Sequence, residues 1–206
     1  FYNVPVKKVT SKKYANEISN NIEIGKAASV EDIYPGKFIE NESHETTHFS
    51  VVDKNGNVVS MTYTLNSTFG SKVVIKGTGI LMNNEMDDFS AAPGIPNQFN
   101  LLGAEANQIA PYKRPLSSMT PTIVLKNNEL FFTTGSPGGA RIISAVLQSI
   151  LNIVDFDMDL EEATFAKRIH HQWYPDVLEI EFSLDSEDEA ELKKMGYSLS
   201  LIHISE

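Results

Sequence analysis

Apolar and polar positions alternate along this chain in two distinct rhythms. Residues 11–22, SKKYANEISNNI, place Tyr14, Ile18 and Ile22 at helical spacing behind a capping serine, Ser11, and predict a short amphipathic helix. Residues 23–45 carry Gly25, Pro35 and Gly36 among polar residues without a period, and read as an exposed connector. From His48 the pattern changes to strand. HFSVVD and NVVSMTYTLN flank Lys54-Asn55-Gly56, and Asn-Gly between apolar runs predicts a β-hairpin. A possible short strand, KVVIKG, lies in the glycine-rich stretch that follows. TIVLK and ELFFTTG, joined by Asn127-Asn128, predict a second hairpin.

Beyond it the period returns to that of a helix. Residues 139–153 hold Ile142, Ile143, Val146, Leu147, Ile150 and Leu151 on one face, which predicts the longest helix of the chain. LEEATFAKRI (160–169) predicts another, with Asp157 or Asp159 as its cap, and VLEIEF (177–182) predicts a strand. SEDEAELKKMG (186–196) is acidic at its start, basic at its end and closed by Gly196, so its charges are explained by the helix dipole.

Composition narrows the class. A chain of 206 residues, 41% hydrophobic and 21% charged, fits one good-sized globular domain. The formal charge of −10 argues against a nucleic acid or an anionic membrane as partner, since both need clustered positive charge. With no cysteine, disulfides, thiolate metal sites and a cysteine nucleophile are excluded. No apolar run reaches bilayer length, and FYNVPVKKVTSKKY lacks the apolar core of a signal peptide. A start at Phe1 marks the chain as an expected fragment or processed piece.

Four stretches offer chemistry. Thr46 and Thr47 open the first strand after an acidic, turn-prone segment; β-branched residues start strands well, so the plain structural reading stands beside any chemical one. Asn83-Asn84-Glu85-Met86-Asp87-Asp88 concentrates acceptors suited to a cation, or is a solvated loop. Residues 91–110 are irregular and long enough for a lid. Gly135-Ser136-Pro137-Gly138-Gly139 joins a strand to a helix, so free backbone N–H groups at a positive helix end could hold an anion; the lysine and spacing of a phosphate loop are missing. The adjacent His170 and His171 point apart from an extended chain, so no metal site is expected there. A hydroxyl needs a base to attack. One economical arrangement is a threonine whose own α-amino group is that base, freed by cleavage between Glu45 and Thr46.

Thr46-Thr47-His48-Phe49-Ser50-Val51-Val52-Asp53, Thr62-Tyr63-Thr64-Leu65-Asn66, Asn83 through Ser90, Lys113-Arg114-Pro115-Leu116-Ser117-Ser118-Met119 and Gly135 through Gly139 occur in the order found in γ-glutamyltranspeptidases, and the chain resembles that family from about Val4 to Tyr197. The resemblance implies an α+β fold, the four-layer αββα sandwich of N-terminal-nucleophile hydrolases, present in part. Residues 1–45 would be the C-terminal end of the large subunit with the connector to the cleavage site, and 46–206 the small, catalytic subunit. By the same resemblance Thr46 is the self-cleavage and catalytic nucleophile, and Thr64 orients it. Asn66, Glu85 and Asp88 would hold the donor's α-amino group, and Ser117 and Ser118 its α-carboxylate. Gly138 and Gly139 would form the oxyanion hole. The implied reaction passes a γ-glutamyl group from glutathione or another γ-glutamyl amide to Thr46, then to water, an amino acid or a peptide. It implies no metal and no organic cofactor. The partner would be the remainder of the large subunit, in a heterodimer formed by cleavage, and the location periplasmic or extracellular.

Several features depart from the family pattern. The arginine that grips the donor carboxylate is expected in the large subunit outside this chain, and the tail 198–206 differs from the family and stops early. Phe99 stands where bacterial relatives carry a tyrosine that latches the lid, keeping the ring without the hydroxyl. The fragment alone is therefore expected to be inactive. A cephalosporin-acylase-like amidase would share Thr46 and the fold but give Asn66, Glu85 and Asp88 no cation to bind. An uncleaved, non-catalytic module is the remaining alternative.

Overall fold

A computed structural model describes residues 6–28, 46–98 and 101–202. Expectations for Glu45, for most of the connector, for Phe99 and for the last four residues, 203–206, lie outside the described residues.

The N-terminal segment forms two short helices, α1 (Val6–Val9) and α2 (Lys12–Ser19). Ser11 caps α2 as its sequence suggested, accepting from the Tyr14 N–H at 3.1 Å while its own hydroxyl donates to the Lys8 carbonyl. The helix ends three residues before Ile22, and α1 gave no periodic signal because four residues are too few to show one.

The first hairpin pairs β1 (Thr46–Val52) with β2 (Val58–Thr64) around Gly56, whose φ of 81° suits glycine. Asp53 ties the turn by accepting from the Asn55 and Asn57 backbone N–H groups at 2.8 and 2.9 Å. Strand pleating sorts the side chains. Thr46, His48, Ser60, Thr62 and Thr64 face inward, whereas Phe49, Val51, Val59, Met61 and Tyr63 stand on the exposed side. The inner face is thus polar and the outer face apolar.

The second hairpin, β3 (Thr122–Lys126) with β4 (Glu129–Thr134), turns at Asn127 and Asn128, both at positive φ, with a register shift between Val124 and Leu125. The two hairpins meet through side chains: Ser60 donates to the Thr134 carbonyl at 3.3 Å, and Ser50 and Thr133 share a hydrogen bond at 3.2 Å. KVVIKG does not become a strand. Lys72, Gly77 and Gly79 at positive φ bend it into a small irregular loop, in which Val74 bridges Leu81 and backbone bonds join Ser71 and Val73 to Met82 and Ile75 to Ile80.

After β4 the chain passes through a tight turn, Gly139–Arg141, into α3 (Ile142–Val154). The helix thus starts three residues later than its apolar period suggested, because Gly138 and Gly139 hold φ of 127° and 56°. Ile142, Ala145 and Val146 are buried on α3, which packs on α4 (Leu160–Phe165), where Ala163 is buried; Leu178 and Ile180 of β6 (Leu178–Ile180) are buried too. Asp159 caps α4 in a reciprocal box with Glu162. That helix is cut short because Arg168 leaves it to pair with Glu181 beside β5 (Ile169–His170).

Strand β6 is central, antiparallel to β5 and parallel to β7 (Leu199–Leu201), which follows α5 (Ser186–Met195). Gly196 closes α5 in the left-handed conformation. The departing tail is therefore part of a sheet as far as residue 201. Buried Arg141 clasps Glu179 of β6 through two hydrogen bonds of 2.7 and 3.0 Å, fixing the turn before α3 to the sheet. Among the described residues no helix is long and apolar enough to cross a membrane.

Candidate functional site

Pairing in the first hairpin places its two end threonines opposite each other. Thr46 opens β1 and Thr64 closes β2, in register, and the Thr46 hydroxyl donates to Thr64 Oγ1 at 3.2 Å. The same Thr64 oxygen accepts from the Asn66 N–H at 2.9 Å, which curls the chain back after the strand. Asn66 takes a φ of 77°, a left-handed conformation that asparagine tolerates, and it is buried.

Asn66 turns toward the acidic segment. Its amide donates to the Asn84 carbonyl at 3.3 Å, and Asn84 in turn holds Ser67 through both its amide atoms, at 3.0 and 2.9 Å. This bracing presents Glu85 and Asp88 from one turn, Glu85–Asp88, into the same space. The two carboxyls sit side by side, half-buried. Burial first, then hydrogen bonding to and repulsion by Asp88, pushes Glu85 up to about 7, and burial raises Asp88 as well. Glu85 Oε1 is buried and finds no hydrogen-bond partner among the described residues. A buried carboxylate oxygen without a donor is costly unless a cation fills the space before it.

The opposite wall comes from two other segments. Ser117 and Ser118 lie on an extended stretch, where Ser118 donates to the Gly139 carbonyl at 3.1 Å and Ser117 Oγ accepts from the Met119 N–H at 3.2 Å. Gly139 begins the turn before α3, and a chain entering a helix there exposes backbone N–H groups without carbonyl partners one turn back.

Thr46, Thr64, Asn66, Glu85, Asp88, Ser117, Ser118 and Gly139 line one small, open cleft, with Met119 and Ile142 completing it. Gly138 precedes Gly139 in the turn without lining the cleft. The arrangement sets a hydroxyl, a glycine turn at a helix start and a carboxylate pair around one volume.

The structure adds residues with no evident signal in the pattern. His48, on the same strand face as Thr46, bridges Thr62 at 2.9 Å and Ser50 at 3.2 Å, and burial lowers its pKa, so it sits as a neutral imidazole. A Cβ on Gly135 would stand 2.1 Å from that ring, so the glycine turn rests directly on His48. Gly135→Ala must displace a ring held by two hydrogen bonds. It is expected to destabilise the fold by about 2 kcal/mol, read as a lowered denaturation midpoint. Asn84, Ser67 and Asn107 likewise brace the site. Asn84 lay within a motif already noted, but a bracing amide and a solvated one look alike in sequence.

The chain compares closely with known proteins. The family model for gamma-glutamyltranspeptidase matches residues 1–205. The chain is 50% identical over 201 residues to the glutathione hydrolase proenzyme of Escherichia coli K12, covering 98% of this chain and 35% of that protein. It is 45% identical over 202 residues to the proenzyme of Pseudomonas aeruginosa, covering 97% of this chain and 36% of that one. The chain thus spans about a third of the length of these curated relatives. A crystal structure of a Helicobacter pylori gamma-glutamyltranspeptidase mutant superposes with a TM-score of 0.74 at 52% identity, over 77% of this chain and 86% of that one. Cephalosporin acylase from Bacillus halodurans shares the fold, with a TM-score of 0.69 at 23% identity over 97% of this chain and 33% of that one. The fold is the α+β architecture of N-terminal-nucleophile hydrolases, and the chain belongs to the gamma-glutamyltranspeptidase family.

Proposed function

We propose that this chain carries the catalytic cleft of a γ-glutamyltransferase, a glutathione hydrolase made as a precursor and activated by cleavage between Glu45 and Thr46. Residues 46–206 act as the small subunit and 1–45 as the end of the large one. In the precursor the Thr46 hydroxyl attacks the Glu45 carbonyl, the peptide shifts to an ester, and water hydrolyses that ester to free the Thr46 amine. That amine then takes the proton from the Thr46 hydroxyl as it attacks a γ-glutamyl amide. Backbone N–H groups at Gly138 and Gly139 stabilise the tetrahedral oxyanion, a contribution of about 3 kcal/mol for one such donor. Collapse expels the amine as leaving group and leaves a γ-glutamyl ester on Thr46. Water, an amino acid or a peptide then takes the acyl group, and no cofactor enters.

The observation that carries this reading is the buried, unpartnered Glu85 Oε1 in the cleft that also holds Thr46. An α-ammonium fills that need, whereas a glutaryl chain offers the carboxylates nothing. Asn66 completes the amine site, and Ser117 and Ser118 receive the α-carboxylate together with an arginine from the large subunit. Relatives named glutathione hydrolase proenzymes support both the donor class and the precursor step. The apolar outer face of the first hairpin, with Phe49 45% and Tyr63 56% exposed, supports a further large-subunit partner. A periplasmic or extracellular site of action accords with this donor.

The test uses the full-length polypeptide that carries this chain. Mass spectrometry is expected to find a product beginning at Thr46, and that product is expected to turn over γ-glutamyl anilide in preference to glutaryl anilide. An intact chain after prolonged incubation, or equal use of the two anilides, would overturn the assignment.

A further inference from the structure

Three segments distant in sequence converge behind the cleft, and a side chain on one of them ties the other two together. Asn107 Nδ2 donates to the Asp88 carbonyl at 2.6 Å, Asn107 Oδ1 accepts from the Leu116 N–H at 3.1 Å, and the Asn107 carbonyl accepts from the Ser90 N–H at 3.0 Å. Asp88 ends the carboxylate turn, and Leu116 immediately precedes Ser117 and Ser118. Asn107 does not line the cleft. It stands behind it, in a neighbouring cavity shared with Asp88, Gly103 and Leu116. It can therefore act only through the backbone that it holds.

We propose that Asn107 is a positioning residue that sets the spacing between the Glu85/Asp88 pair and the Ser117/Ser118 pair, and so selects donors with an α-amino acid head group. The proposal rests on the reading of the cleft given above. In an α-amino acid the ammonium and the carboxylate sit on one carbon, so their binding groups must keep a fixed separation. Only a group that donates and accepts at once can join a carbonyl on one side to an N–H on the other, and a primary amide does this with two atoms of one rigid plane. The loop carrying Asn107 is itself held close. A Cβ on Gly103 would lie 1.8 Å from Ser90 Oγ and 2.7 Å from Ser90 Cβ, so bare backbone lets it lie against the end of the carboxylate turn. Rotation of Ser90 could clear the first overlap but not the second.

The test compares Asn107→Ala and Asn107→Asp with the unaltered full-length polypeptide, using γ-glutamyl anilide and glutaryl anilide. Aspartate keeps the size and the acceptor for Leu116 but loses the donor to Asp88. Both variants are expected to lower the kcat/KM preference for the γ-glutamyl donor by about tenfold, the equivalent of one misplaced hydrogen bond. The loss should appear in KM, with kcat within about threefold and cleavage before Thr46 complete. Should the alanine variant fail to accumulate, the aspartate variant decides. An unchanged preference, whatever the melting temperature, overturns the proposal, since a purely structural role would slow both donors alike. If the unaltered protein shows no preference, the functional reading falls, and this proposal with it.

Discussion

Thr46→Ala is expected to leave the full-length polypeptide uncut and to lower γ-glutamyl anilide turnover on the order of 10^4-fold or more, the scale seen when a nucleophile acting as part of a unit is removed. The size follows from the double duty assigned to one residue. In the proposed mechanism its hydroxyl opens the peptide bond, and afterwards its amine serves as the base for the same hydroxyl. Thr46→Ser keeps both groups and is expected to be cut and active at a reduced rate, because the missing methyl leaves the hydroxyl freer to rotate. Thr64→Ala removes the acceptor that the Thr46 hydroxyl finds 3.2 Å away together with the acceptor of the Asn66 N–H, and should cost about tenfold, since Thr46 stays paired in the strand. Gel analysis of the precursor and initial rates on the anilide separate these outcomes. A Thr46→Ala protein that is still cut before residue 46 would remove Thr46 from the chemistry.

The order of these effects reflects what the sequence can carry. Asn55-Gly56 and Asn127-Asn128 marked both hairpins, because the positive φ held there by Gly56, Asn127 and Asn128 is a local demand that few side chains meet. The register that sets Thr46 opposite Thr64 follows from the first turn and the alternation around it. The helix start after Gly139 was displaced because an apolar period says nothing about where the backbone can leave a strand. The motif that resembled the family singled out Glu85 and Asp88 together. It could not show that Asn66 and Asn84 brace them, since those bonds run between a strand end and a loop 18 residues apart. His170, rejected as a metal ligand on strand geometry, is buried between Ser144 at 2.7 Å and Gln172 at 3.0 Å. The role of His48 as the bed for Gly135 depends on contact between two hairpins, and no local pattern encodes that.

The carboxylate pair gives the second large effect, and it depends on pH. Glu85, raised to about 7 by burial and by Asp88, keeps a proton in the empty cleft across a range where an unfolded glutamate, near 4.5, has lost it. The folded state then binds more protons than the unfolded one between those values. Its stability contribution is fully present below 4.5 and is lost as pH rises through about 7. An α-ammonium reverses the preference, because it favours both carboxylates ionised. Donor binding below pH 7 must therefore expel a proton, and kcat/KM for a γ-glutamyl anilide is expected to carry a limb that rises with pH up to about 7. The freed amine of Thr46 also titrates, at about 8 in an unperturbed chain, so a rising limb alone does not identify Glu85. The glutaryl anilide supplies the distinction. Both donors share the limb due to the Thr46 amine, and only the donor with an α-amino group shares the limb due to Glu85. Glu85→Gln should erase that second limb and cost about 3 kcal/mol in kcat/KM for the γ-glutamyl donor, roughly two orders of magnitude, through loss of one buried charge facing the ammonium. The glutaryl rate should hardly change. A pH profile identical for the two donors would show that the raised carboxyl takes no part in holding the amine.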